Sequence, residues 1–86
     1  PGHAMDQYAI GVIAFELLTG QLPFGDCEPV QLIFKTMTEK PFPPSHFRQL
    51  PPEVDQVILK MLAKDPRERY QNLETAAQAL QGVLHG

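Results

Sequence analysis

Residues 8–18 read Y-A-I-G-V-I-A-F-E-L-L, and only Glu16 among them carries a charge. A surface helix shows one apolar stripe, whereas a helix apolar all round is normally covered on every side. Eleven helical residues span roughly 16 Å, well short of the ~20 residues that cross a membrane. The stretch therefore reads as the central post of a globular helical protein, and other elements must cover it.

Outward from this post, Asp6 has the side chain of an N-cap, because its carboxylate can accept the free N–H groups of a first turn. The helix it opens runs to about Thr19, and Gly20 suits a left-handed stop. Gly11 lies inside at a cost of about 1 kcal/mol relative to alanine. That cost implies close approach of another backbone or a bulky side chain. Residues 21–29, Q-L-P-F-G-D-C-E-P, form a turn-rich connector.

Pro29 fits the first position of a second helix, over residues 29–38. Val30, Ile33, Phe34 and Met37 share one face of it. Residues 39–52 contain five prolines, which favour an ordered extended loop. A third helix, residues 52–64, places Val54, Val57, Ile58, Met61 and Leu62 on one stripe, with Lys60 and Lys64 near its negative end. Asp65 and Pro66 start a short turn. Asn72 caps a last helix, 72–84, with Leu73, Ala76, Ala77, Leu80 and Leu84 on one face. No strand pattern and no repeat appears.

Composition narrows the function classes. Hydrophobic residues make up 43 % and charged residues 20 % of the 86 residues, so the chain is not of the disordered type. The net charge of −3 offers no basic face for nucleic acid. The first 34 residues carry four acids and no Lys or Arg, and a basic cluster appears only at Lys60, Lys64, Arg67 and Arg69. Cys27 is the one cysteine; it fits a reducing, cytoplasmic compartment. His3, His46 and His85 lie far apart and suggest no metal site. A start at Pro1, just before an apolar helix, reads as a segment of a longer chain.

Two signatures occur in order. The first is D-Q-Y-A-I-G-V-I-A-F-E-L-L-T-G-Q-L-P-F, residues 6–24, and the second is L-A-K-D-P-R-E-R-Y, residues 62–70. Together they resemble the C-terminal lobe of protein kinases, helices αF to αI, in the Ser/Thr branch and with a bacterial tone. Met5 departs from the serine that often precedes the αF aspartate. The resemblance implies an all-α, four-helix portion of that lobe built around a central buried helix.

Further implications follow from the same resemblance. Asp6 matches the aspartate that anchors the catalytic loop through its backbone N–H groups. Arg69 matches the arginine that pairs with the glutamate of A-P-E under the activation segment. Glu16 matches a glutamate that helps receive a substrate arginine; its other reading is an internal hydrogen bond between loops. Helix 29–38 matches a docking surface for protein substrates or regulators, and its apolar face equally suits plain core. Phosphoryl transfer needs a Gly-rich loop, a strand lysine, H-R-D and D-F-G, and residues 1–86 contain none of these motifs. ATP and Mg are thus expected in the parent kinase and not on this segment. The bare part of the first helix is expected around Asp6 and Gly11, where the catalytic loop would sit. A pseudokinase or a helical interaction module uses the same helices without chemistry.

Overall fold

Why each element starts and stops is largely visible in its terminal residues. The computed structural model describes the backbone of residues 3–85 and the side chains of residues 7–85. Four helices follow one another: α1 His3–Thr19, α2 Pro29–Thr38, α3 Pro52–Met61 and α4 Leu73–His85. Short 3-10 turns cover Pro44–His46 and Pro66–Glu68. No strand is present among the described residues.

Helix α1 begins three residues before Asp6, so Asp6 lies in its first turns and is not the capping residue. It ends at Gly20, whose φ is +73° and whose N–H donates to the Glu16 carbonyl at 2.8 Å. The last turn of α1 has no basic residue of its own. Arg48 supplies one from the loop, its Nε donating to the Thr19 carbonyl at 3.4 Å, where a cation suits the helix dipole. Pro29 opens α2 as expected. Helix α3 stops at Met61, short of residue 64. The bend toward Asp65-Pro66 ends it, since the residue before a proline avoids the helical region. Asp65 caps the second 3-10 turn by accepting the Arg67 N–H at 2.9 Å. Asn72 caps α4 by accepting the Thr75 N–H at 2.8 Å.

The core lies between α1, α3 and α4. Phe15, Ile58 and Met61 are fully buried, with Val54, Val57, Leu62, Ala14 and Ala76 around them. The whole expected stripe of α3 is therefore inside. On α4 the buried line runs Ala76, Ala79, Leu80 and Val83. Ala77 and Leu84 face solvent, so this face is rotated from the expected one. The proline-rich loop is tied down from both directions. Phe47 packs edge-on against Phe15 with centroids 5.9 Å apart, and the Ser45 N–H donates to Asp55 Oδ1 at 2.9 Å.

Helix α1 is central to this packing, but it is not surrounded. The protein measures 37 × 33 × 16 Å. A slab 16 Å thick holds little more than one helix diameter with side chains, about 10–12 Å. Gln7, Gly11, Ala14, Phe15 and Thr19 form the covered stripe. Ile10, Ile13 and Leu17 form the bare one, and Leu17 is 81 % exposed. The expectation that Gly11 lies on the bare face is therefore wrong. The apolar all-round pattern does not show which side is covered, and Gly11 belongs to the covered side because α3 needs the room.

A Cβ placed on Gly11 would lie 3.0 Å from Leu62 Cδ2 and 3.1 Å from Met61 Cβ. The second contact involves an atom fixed to the α3 backbone, so the helices themselves must move to relieve it. Gly82, inside α4, has nothing within 4 Å of its Cβ position. Gly11→Val is therefore expected to destabilise by about 1–3 kcal/mol through overpacking. Gly82→Ala is expected to stabilise by about 0.5–1 kcal/mol through helix propensity. Urea unfolding midpoints of the two variants check both signs.

Candidate functional site

Arg69 follows the second 3-10 turn, and Ala63 and Tyr8 are among the neighbours that set its direction. Its Nε donates to the Ala63 carbonyl at 2.7 Å. Its guanidinium carbon lies 5.1 Å from the centroid of the Tyr8 ring, within cation–π range. The side chain is half-buried and lines a concavity of about 350 Å3 with Tyr8, Ala9 and Thr36. A guanidinium held in this way suits planar recognition of a carboxylate or phosphate.

The side chain of Asp6 lies outside the described residues. Its backbone is two residues before Tyr8 in α1, so Asp6 and Arg69 belong to the same end of the molecule. Glu16 stands ten residues further along α1 than Asp6, about 15 Å away along the helix axis. It is exposed, and its carboxylate makes no hydrogen bond among the described residues. The alternative reading of Glu16, an internal hydrogen bond between loops, finds no partner among the described residues. Glu16 escapes desolvation because it lies on the uncovered side of α1, beside Ile13 and Leu17.

Gln7 is a site residue that sequence reasoning missed. It is 2 % exposed. Its Nε2 donates to the Tyr70 carbonyl at 3.1 Å, and its Oε1 accepts the Tyr70 N–H at 3.0 Å. A side-chain amide matches a backbone amide donor for acceptor, and here it pairs α1 with the segment that enters α4. Arg69 is thus placed between two fixed points, Ala63 before it and Tyr70 after it. A neutral amide just before the apolar run of residues 8–18 is a weak sequence signal of this clamp.

Lys60 lies in the last turn of α3, as expected, whereas Lys64 lies beyond its end. Lys60 Nζ lies 5.1 Å from the Tyr70 ring centroid. Lys64 does not serve the end of α3; its Nζ donates to the Thr36 carbonyl at 2.7 Å, in the last turn of α2. Burial holds its ammonium below the ordinary lysine value, with the Glu39 carboxylate acting the other way. The Asp65 carboxyl is held below the usual carboxylate value, first by the Arg67 side chain and then by the Arg67 N–H. Burial pushes the Tyr70 phenol up.

Helix α2 buries none of its residues. Val30, Ile33, Phe34 and Met37 are each at least 60 % exposed, so in this chain the apolar face of α2 is surface and not core. No three His, Cys, Asp or Glu side chains gather as a metal site among the described residues. No described helix is long and apolar enough to cross a membrane.

No protein-family model matches the chain, but close sequence relatives exist. Over 74 residues it is 43 % identical to the serine/threonine-protein kinase PknB of Mycolicibacterium smegmatis, covering 85 % of this chain and 11 % of the relative. Over 84 residues it is 38 % identical to the serine/threonine-protein kinase pkn3 of Myxococcus xanthus, covering 94 % and 15 %. Over 70 residues it is 39 % identical to the serine/threonine-protein kinase PksC of Streptomyces coelicolor, covering 80 % and 13 %. The chain thus spans well under a fifth of the length of these curated relatives.

Gln7→Ala leaves the Tyr70 N–H and carbonyl without their partner. Each unsatisfied buried group costs about 1–3 kcal/mol. The expected loss is about 2 kcal/mol in denaturant unfolding. Gln7→Glu is expected to restore little of it, because a carboxylate cannot donate to the Tyr70 carbonyl and brings a charge into a buried place.

Proposed function

Because the chain belongs, as a segment, to the serine/threonine protein kinase family, we propose that it serves as part of the C-terminal lobe of such a kinase and acts there by positioning. The parent transfers the γ-phosphate of ATP to serine or threonine of a protein. Catalysis of that transfer is mainly positioning and electrostatic stabilisation, and a scaffold contributes to the first. Asp6 holds the catalytic loop, and Arg69 pairs with the glutamate of an A-P-E triplet below the activation segment. Helix α2 receives a protein substrate or regulator.

The observation that carries this reading is the bare stripe of Ile10, Ile13 and Leu17. Burying a side chain of this size contributes roughly 1.5–3 kcal/mol. A helix otherwise locked in the core leaves that gain unrealised, and the remainder of a kinase lobe is the cover that fits. In sequence, Asp6 stands four, seven and eleven residues before Ile10, Ile13 and Leu17, the spacing of one helical register. The exposed carboxylate of Glu16 beside this stripe favours substrate contact over an internal structural bond.

ATP and Mg are assigned to the rest of the kinase domain. This assignment is supported by the sequence, which has no Gly-rich phosphate loop. A pseudokinase would use the same scaffold without chemistry. Sequence upstream of Pro1 separates the two, since an active parent requires H-R-D-x-K-x-x-N and D-F-G there.

Ile13→Gln and Leu17→Gln discriminate between a surface stripe and a covered one. In the 86-residue chain each is expected to change stability by no more than about 0.5 kcal/mol. In the full-length protein each is expected to cost about 2 kcal/mol or more, as core truncations do, and to reduce transfer of radiolabelled phosphate. Equal, small effects in both settings would remove the reading.

A further inference from the structure

Helix α2 is attached to the body of the protein in an unusual way. It has no buried residue. Where it passes α1, a cavity of about 150 Å3 remains between Tyr8, Val12, Leu22, Phe24, Leu32 and Thr36, so apolar contact there is incomplete. Hydrophobic packing alone does not fix its place.

The polar attachment is specific. An α-helix leaves its last four carbonyls without partners inside the helix. In α2, the Lys35 carbonyl is taken by the Glu39 N–H at 2.9 Å. The Thr36 carbonyl is taken by Lys64 Nζ at 2.7 Å, and the same ammonium lies 3.5 Å from the Lys35 carbonyl. It also stands 5.3 Å from the centroid of the Phe24 ring in the connector that leads to α2. One cation from 28 residues away thus meets the negative end of the helix dipole and also stands over the connector that leads into α2. Its own backbone is firmly seated. Arg69 bonds the Ala63 carbonyl just before it, and Asp65 just after it caps the second 3-10 turn.

We infer that Lys64 is the positioning residue of α2: its ammonium latches the last turn of that helix to the braced turn after α3, and neutralising it lets α2 shift. This deepens the docking reading of α2, and it rests on that reading only for the consequence in substrate binding. The structure of the latch stands on the bonds above.

The test uses the full-length protein with Lys64→Met, which keeps the stem and removes the donor, and Lys64→Arg, which keeps a donor and the charge. Amide hydrogen exchange over residues 34–39 is expected to quicken about tenfold in Lys64→Met, as loss of a charge-assisted cap predicts. It is expected to remain near wild type in Lys64→Arg, with α3 and α4 unchanged in both. With a catalytically inactive copy of the same protein as substrate, KM is expected to rise severalfold in Lys64→Met at unchanged kcat. Unchanged exchange over 34–39 in Lys64→Met overturns the inference, as does a rise spread equally over α1, α3 and α4. Faster local exchange with an unaltered KM upholds the latch and overturns docking on α2. If the wild type transfers no phosphate at all, the kinase reading falls while the exchange comparison still decides the latch.

Discussion

The close contact at Gly11 governs the arrangement of the rest. Its missing side chain lets Met61 and Leu62 press on α1, so the end of α3 meets the middle of α1. Everything after α3 is then placed relative to that point. Phe15, one turn along α1, is buried with Ile58 and Leu62. Gln7, one turn back, reaches Tyr70. The residues between Leu62 and Tyr70 are therefore spanned between two contacts with the same helix. Lys64, Asp65 and Arg69 all lie in that span, so their side chains are fixed by geometry set elsewhere.

Polar clamps from distant segments supply what the helices lack locally. The last turn of α1 has no basic residue of its own, and α2 buries none of its residues. Arg48 meets the last carbonyl of α1, and Lys64 meets the last turn of α2. Both are cations at the negative end of a helix, where their charge is favourable. Each also ties a loop to a helix far away in sequence. The Gln7 amide does the same for the approach to α4. These bonds are few, but each satisfies a backbone group that would otherwise be left without a protein partner, which is the costly condition.

How much was legible in the sequence follows from this division. The amphipathic stripe of α3, the left-handed Gly20, Pro29 at the start of α2 and the caps Asp65 and Asn72 are local signals, and each has its effect within a few residues. Gly11 announced a close approach, but not the partner. Gln7 and Lys64 act over 63 and 28 residues, and periodicity carries no such information. Lys64 near the end of α3 looked like a cap for that helix, whereas the bend at Asp65-Pro66 turns it toward another. The side of α1 left bare was also unreadable, because a pattern apolar on every side records the surroundings of the helix in the whole protein and not in 86 residues of it.

Two apolar faces remain uncovered, and they differ in kind. The stripe of Ile10, Ile13 and Leu17 belongs to a helix locked by Gly11, Phe15 and Gln7, so it is a preformed and unyielding surface. Such a surface suits permanent cover, since obligate interfaces are the more apolar ones. The face of Val30, Ile33, Phe34 and Met37 belongs to a helix held chiefly at its end by one lysine. Interfaces that exchange partners are more often built on segments that can adjust. The same chain thus holds its two apolar faces by different means. Apolar packing with no spare room holds the first face, and a charge-assisted bond at the last turn of α2 steadies the second.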